Sequence, residues 1–248
     1  MKKIVLCGSE GKMGKAIREL ALDALDFQIV GFVDRNKNEN NVSNLVDLDC
    51  DYDIIVDFSS SNSLESNLRF AVESKKGYIS GITGLSDDQI KLLKKASESI
   101  PVFYASNFSY GVFALNKILK TALEILDDKY DLEIFEKHHR NKVDAPSGTA
   151  KTLMNIIKHY REDSEFIFGR NGITGSKKLN EICVNSLRGG DIIGDHSVFF
   201  SGIGEVIELN HRATSRMVFA SGVIKAIQFF LNTNSSGLYS MENLLEKF

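Results

Sequence analysis

From Lys3 to Tyr104 the chain repeats one pattern: a short run of almost wholly apolar residues, then a stretch with apolar residues at every third or fourth place. The short runs are Lys3 to Cys7, Phe27 to Val33, Ile54 to Phe58, Tyr78 to Ser80 and Val102 to Tyr104. A strand without polar alternation needs cover on both faces, which parallel sheets with crossover helices provide. The stretches Lys12 to Asp26, Ser63 to Ser74 and Asp87 to Ser99 carry helical stripes, and in the first Met13, Ile17, Leu20 and Ala24 recur at steps of three and four. Strands alternating with helices at these lengths predict an α/β fold with a doubly wound parallel sheet. Most of the tract Asn36 to Cys50, rich in Asn and Asp and without clear period, is expected to be a surface loop.

After Asn107 the pattern changes. A helical tract Gly111 to Leu126 precedes a strand-like Leu132 to Phe135 and a helical Thr149 to Tyr160, and three β-rich runs come after it at Glu181 to Leu187, Ser197 to Phe200 and Val206 to Asn210. This predicts a second α/β domain with a mixed or antiparallel sheet. Helical spacing returns from Ser215 to Leu231, and the stretch from there to Phe248 is too short to form a domain, so the tail is assigned to the first unit. The expected division is 1–109 plus 216–248 and 110–215, and 248 residues with 43% hydrophobic content supply two modest cores. The sequence has no internal repeat and no low-complexity segment.

A net charge of -3 and a pI near 6.0 give no electrostatic reason to bind nucleic acid or an anionic membrane. Cys7, Cys50 and Cys183 are odd in number and form no CxxC pair, so neither a disulfide framework nor a metal site is expected. The apolar run after Lys2 and Lys3 stops at Gly8, and no run approaches the roughly 18 apolar residues of a membrane span. The expectation is a protein of the cytoplasm.

Gly8-Ser9-Glu10-Gly11-Lys12-Met13-Gly14 falls between the first strand and the first helix, where a dinucleotide pyrophosphate needs close backbone approach and unhindered amides. The spacing is GxxGxxG in place of GxGxxG, and a glycine triple alone is also an ordinary turn. Its setting is more specific: a buried strand before it, an amphipathic helix after it, and Asp34 about twenty residues on at the end of the second strand. The site is therefore read as Rossmann-type. Asp34 suits ribose hydroxyls and Arg35 a 2′-phosphate, so NADH and NADPH both fit. Gly81-Ile82-Thr83-Gly84 comes after a later strand and belongs to the same carboxyl edge, although taken alone it is only a turn signal.

Two of the five histidines and one of the two prolines lie in Glu136-Lys-His138-His139-Arg140-Asn-Lys142-Val-Asp144-Ala-Pro146-Ser147-Gly148-Thr149-Ala150. A cluster of His, Arg and Lys in a mildly acidic protein fits a carboxylate-bearing substrate. Ser147, Gly148 and Thr149 before a helical run place amides, hydroxyls and the positive end of a helix dipole together, which suits an anion. Either His138 or His139 has the chemistry of a general acid, and Lys142 of a carboxylate partner. Histidines closing a strand beside a solvated lysine would account for the same pattern. Arg188, Asp191, His196 and Arg216 are further polar residues near strand ends, and Gly189 and Gly190 make a turn.

Over nearly its whole length the chain resembles the dihydrodipicolinate reductase family, most specifically through residues 136–150. Supporting matches are Gly-Ser-Glu-Gly-Lys-Met-Gly at 8–14, Gly-Ile-Thr-Gly at 81–84, Ser-Asn-Phe-Ser at 106–109 and Arg-Gly-Gly-Asp-Ile-Ile-Gly-Asp-His at 188–196. The resemblance implies a nucleotide domain completed by the C-terminal tail, a central substrate domain that assembles a homotetramer, and reduction of a cyclic dicarboxylate to tetrahydrodipicolinate by NADPH or NADH without metal. By motif position His138 is then the proton donor and Lys142 orients or polarises substrate, while His139, Ser147, Gly148 and Thr149 bind its carboxylates. Gly8 to Gly14, Asp34, Arg35, Gly81, Ile82, Thr83, Ser106, Asn107 and Phe108 hold the cofactor, and the loop of the central domain faces the nicotinamide. Two departures are a shortened segment after Arg35 and an acidic Glu10 in the phosphate turn. The competing readings are another two-domain nicotinamide dehydrogenase and a non-catalytic NAD(H) sensor; the His138 and Lys142 pair, which a sensor does not need, separates them.

Overall fold

The apolar runs at the start of the chain become adjacent strands. The computed structural model describes residues 1–36, 38–233 and 235–244. In chain order the elements begin β1 (Lys2–Cys7), α1 (Lys12–Ala21), β2 (Phe27–Val33), β3 (Ile54–Asp57), α2 (Leu64–Glu73), β4 (Gly77–Ser80), α3 (Asp87–Ala96) and β5 (Pro101–Tyr104). Next come α4 (Tyr110–Ile125), β6 (Asp131–His138), α5 (Gly148–Tyr160), β7 (Glu165–Ile167), β8 (Glu181–Arg188), β9 (Gly194–Gly202) and β10 (Glu205–Ala213). The last two are α6 (Met217–Leu231) and β11 (Gly237–Tyr239). The chain divides into two compact units, Met1–Ser109 with the described part of Arg216–Phe248, and Tyr110–Ser215.

In the first unit six strands pair in parallel, in the order β11-β5-β4-β3-β1-β2. The predicted doubly wound sheet is thus present. Val5, Ile55, Tyr78 and Val102 from the strands meet Leu64 and Leu68 of α2 and Leu93 of α3 in one buried cluster. Because β2 and β3 lie on opposite sides of β1, the connections leave the carboxyl ends of β1 and β3 in opposite directions, and this opens a crevice there. β11, three residues at the edge beside β5, was not legible as a strand.

One expectation needs correcting. The first helix stops at Ala21 and does not continue to Asp26; Asp23 and Asp26 would place negative charge at the negative end of its dipole. The described part of the tract Asn36 to Cys50 is mostly surface, as expected, but it is anchored: Val42 bridges Val33, and Leu45, in a 3-10 turn Leu45–Asp47, is buried against the core. These anchors fold the tract back along β2.

The second unit holds a mixed sheet, β10-β9-β6-β8-β7, with β6 parallel to β8 and antiparallel to β9. Leu115, Leu119 and Leu123 of α4 and Leu153 and Ile157 of α5 pack on Leu132, Ile134, Val184, Val198 and Phe200 of one sheet face. The alternation of β6 puts Phe135 on the other face, where it is 41% exposed and packs edge to face on Phe199 at 5.5 Å. Among the described residues no helix is long and apolar enough to cross a membrane, and no His, Cys, Asp and Glu group could hold a metal ion.

Candidate active site

At the end of β1 the chain turns at Gly8, whose φ of +76° is a left-handed conformation that side chains resist, and where a Cβ would lie 2.5 Å from the Phe58 carbonyl oxygen. Gly14, in the first turn of α1, packs so closely on this turn that a Cβ would stand 2.3 Å from the Gly8 carbonyl oxygen. The two glycines let the positive end of α1 sit directly against the strand ends. Gly11 caps α1 without any side-chain hydrogen bond, and the first turn carries no acidic residue. These features fit a pyrophosphate.

Asp34, buried at the end of β2, accepts hydrogen bonds from the Glu10 amide at 3.0 Å and from the Asn36 amide at 3.0 Å, and so ties the glycine turn to the strand end. The Glu10 carboxylate lies 2.9 Å from Arg18 and 3.7 Å from Lys15, both on α1. Two cations therefore balance the acid in the glycine turn. Gly8, Glu10, Gly11, Asp34 and Arg35 line one cleft of about 330 Å³. Of the other expected residues, Ser9 is buried within the turn, and Lys12 and Met13 begin α1.

Gly81, Ile82, Thr83, Ser106, Asn107 and Phe108 are absent from the cleft lining, and of these Gly81 and Phe108 pack against Phe58, which does line it. A Cβ at Gly81 would lie 2.1 Å from the Phe58 ring, and the Phe108 ring is 5.5 Å from it. Phe108 is buried and also stacks on Phe103, so its ring supports the cleft from behind. Ile82 is buried, while Thr83 and Ser106 are exposed, and Asn107 Oδ1 accepts from the Ser109 amide at 2.8 Å.

Sequence reading missed part of the wall. Ser43 and Asn44, Phe58, Ser59, Ser60 and Ser63, and Ser66 and Asn67 also line the cleft. A usable signal was the run Ser-Ser-Ser-Asn-Ser at 59–63, directly beyond a buried strand. Asp57, fully buried at the end of β3, accepts from the Ser59 amide at 2.9 Å, Ser59 Oγ at 2.6 Å, Asn67 Nδ2 at 2.8 Å and Tyr78 Oη at 2.6 Å. Four donors stabilise this anion where water cannot, and fix two side chains of the wall.

In the second unit β6 ends at His138. Its Nδ1 lies 2.5 Å from Oε2 of the fully buried Glu136. Arg188, at the end of β8, holds both oxygens of that carboxylate, Nη1 to Oε2 at 2.8 Å and Nη2 to Oε1 at 2.7 Å, and the Ser147 amide donates to Oε1 at 3.2 Å. Ser147 caps α5 by accepting from the Ala150 amide at 3.2 Å, and its Oγ is 3.0 Å from His196 Nε2. Gly148, exposed, and Thr149, half-buried, form the start of that helix, and a Cβ at Gly148 would meet nothing within 4 Å. The expected acid and the expected anion-binding helix start thus share one buried carboxylate.

Around them, the Gly189 amide donates to the His138 carbonyl at 2.9 Å and the Arg140 amide to the Gly190 carbonyl at 3.2 Å. The Lys142 amide closes a turn onto the His139 carbonyl at 3.1 Å, and Lys142 Nζ lies 2.6 Å from Asp144 Oδ1. In the sequence Arg188 and His196 stand out only as polar residues near strand ends, and the linking role of Glu136 is not legible there.

Burial pushes the Glu136 carboxyl up, but hydrogen bonds from His138 and Arg188 overcome it and hold the group at about 2, against an ordinary 4.5. Burial, and then the charge of His138, press His196 down from 6.5 to about 3. Both shifts act in one direction. An unfolded His196 takes up a proton below about 6.5 that the folded ring refuses until about 3, and an unfolded Glu136 is protonated below about 4.5 while the folded one stays ionised. Stability is therefore full above pH 6.5 and falls on acidification, at up to about 1.4 kcal/mol per pH unit per group. Urea midpoints at pH 7, 5.5 and 4.5 should decline in that order, and His196→Gln should flatten the upper part of the decline; equal midpoints would contradict the assignment.

The match to known proteins covers both units. The N-terminus model of dihydrodipicolinate reductase matches residues 2–108, and the C-terminus model matches residues 111–245. A 4-hydroxy-tetrahydrodipicolinate reductase of Clostridium botulinum (strain Eklund 17B / Type B) is 41% identical over 249 residues, covering 99% of this chain and 98% of its own. One of Campylobacter concisus (strain 13826) is 42% identical over 256 residues, with 99% and 98% covered. Among solved structures, dipicolinate-bound dihydrodipicolinate reductase from Paenisporosarcina sp. TG-14 superposes with a TM-score of 0.75 at 22% identity, over 99% of this chain and 100% of that one. A myo-inositol dehydrogenase from Corynebacterium glutamicum ATCC 13032 does so at 0.58 and 14%, over 95% and 90%. At such identities the superpositions show a shared fold, whereas the matches of sequence along both units show that the chain belongs to the dihydrodipicolinate reductase family of NAD(P)H-dependent oxidoreductases.

Proposed function

We propose that this chain reduces 4-hydroxy-tetrahydrodipicolinate, or the dihydrodipicolinate formed from it by loss of water, to tetrahydrodipicolinate in lysine (diaminopimelate) biosynthesis. The observation that carries the reading is the Glu136 carboxylate, joined to His138 on one oxygen and to the amide of the helix cap Ser147 on the other. A proton donor and an anion-binding helix start side by side suit a dicarboxylate that must gain a proton.

In this reading His138 gives the proton, and Lys142 orients or polarises the substrate. His139, Ser147, Gly148 and Thr149 hold its carboxylates through charge, hydroxyls and the first-turn amides of α5. Lys142 is paired with Asp144, whose side chain is 46% exposed. An ion pair of this kind is worth about 0–1 kcal/mol, so Lys142 exchanges readily onto a substrate carboxylate. The unit Met1–Ser109 with the tail from Arg216 binds the dinucleotide, and Tyr110–Ser215 binds substrate and assembles the tetramer.

The cofactor is NADPH or NADH, and when bound it supplies the hydride. Gly8 to Gly14 take its pyrophosphate, Asp34 and Arg35 its ribose end, and the segments Gly81 to Thr83 and Ser106 to Phe108 complete the site. Arg35→Ala should raise the Kd of NADPH about tenfold more than that of NADH, read by nicotinamide fluorescence. Equal losses for both would sink the 2′-phosphate assignment.

The enzyme is placed in the cytoplasm as a homotetramer. The second sheet's open face supports self-association, since Phe135, Leu187 and Val206 are exposed there at 41%, 50% and 62%. Phe135→Glu should lower the mass in solution measured by light scattering, and an unchanged mass would remove this face from the assembly.

The reductase assay itself is loss of nicotinamide absorbance when the product of dihydrodipicolinate synthase is supplied. Cofactor bound but never oxidised would favour the sensor reading.

A further inference from the structure

We propose that Glu136 is the positioning residue of His138, holding the ring so that the proton on Nε2 is the one delivered to the substrate. This rests on His138 being the proton donor. Glu136 and His138 are two residues apart on β6 and so project from the same sheet face. The carboxylate of Glu136 only accepts, and the Arg188 guanidinium, the Ser147 amide and the Ser186 hydroxyl around it all donate to it. At 2.5 Å from such an oxygen, Nδ1 of His138 has to carry a hydrogen whether the ring is charged or neutral.

The mobile proton is then the one on Nε2. Gly194 keeps that side uncrowded, since a Cβ there would stand 3.1 Å from Nε2. In the step, the Nε2–H bond breaks, the proton passes to the substrate, and the bonding pair stays on Nε2; the hydride brings the electrons of the reduction. The ring is left neutral with its hydrogen on Nδ1, the form the carboxylate stabilises. Through its other oxygen Glu136 also holds the Ser147 amide, so the acid and the cap of α5 keep one register.

Glu136→Gln makes the inference testable because the amide must choose. The Oε1 position faces two obligate donors, Arg188 Nη2 and the Ser147 amide, whereas the Oε2 position faces Arg188 Nη1 and a histidine that can change tautomer. The glutamine oxygen therefore takes the Oε1 position, its NH₂ turns to Nδ1, and the neutral ring moves its hydrogen to Nε2. Nitrogen-15 spectra of ring-labelled protein at alkaline pH should show Nδ1–H in the wild type and in Glu136→Asp, and Nε2–H in Glu136→Gln. Turnover of Glu136→Gln should fall about 100-fold. The cofactor KM and the Kd for pyridine-2,6-dicarboxylate should stay within about threefold, because the bond to Ser147 is kept.

A wild-type ring carrying its hydrogen on Nε2 overturns the proposal. So does a switched tautomer with unchanged turnover, or a lowered melting temperature with tautomer and turnover both unchanged. Should Glu136→Gln not fold, the wild-type and Glu136→Asp spectra decide. These spectra do not depend on turnover, so an Nδ1–H ring in a protein that oxidises no cofactor would count against the reductase reading and leave the positioning role standing.

Discussion

Replacing His138 with alanine is expected to lower turnover by about 10²- to 10⁴-fold, the usual contribution of a positioned general acid, while cofactor affinity stays unchanged. The two effects separate because His138 belongs to the second unit, whereas the cleft proposed for the cofactor is built from the first. The substitution also takes one donor from the buried Glu136 carboxylate, which keeps both bonds from Arg188 and the Ser147 amide. Loss of that donor should cost about 1–3 kcal/mol in urea unfolding. A destabilisation of this size leaves the protein folded at room temperature, so the fall in turnover can be read separately. Comparable losses of turnover and of cofactor affinity, or a fall in turnover below tenfold, would remove His138 from the proton step.

Gly14→Ala should abolish measurable cofactor binding. Considered only as a helix residue, alanine is favoured over glycine by about 1 kcal/mol. The added Cβ, however, would stand 2.3 Å from the Gly8 carbonyl oxygen and 2.7 Å from Ser9 backbone atoms. The obstruction is backbone on every side, so it cannot be relieved by rotating a side chain. Either α1 moves back from the strand ends or the turn opens, and both displace the amides that would meet a pyrophosphate. Overpacking of this kind costs about 1–3 kcal/mol or more, which exceeds the gain in helix propensity. Titration of nicotinamide fluorescence, with calorimetry for the melting temperature, checks both parts. Wild-type affinity in the variant would show that close contact between helix and turn is not what forms the site.

The same glycines were legible in the sequence alone. Short hydrophobic runs without polar alternation, alternating with amphipathic helical stretches, point to a parallel sheet covered on both faces, so the order of strands and helices in the first unit follows from local pattern. A tight strand-to-helix turn likewise tolerates glycine and little else at Gly8 and Gly14, and this made the position of that turn legible. His138, Lys142 and the Ser147 to Thr149 cap share one stretch of fifteen residues, and their chemistry could be inferred together.

The illegible part depends on residues far apart in the chain. Ser43, Asn44 and Asn67 reach the cleft because Val42 and Leu45 fold their tract back along β2 and because Asp57 draws Asn67 inward. Glu136 stands in the sequence only as the first residue of the His-His-Lys segment, with no role of its own. Only the pairing of β6 with β8 brings Arg188 to it, across 52 positions, and makes a fully buried carboxylate stable. Local composition determined most of the elements that form, since propensity and periodicity act over a few residues. The partners of each charge and the direction each ring faces came from packing, because hydrogen bonds between distant segments exist only once the sheet has closed around them.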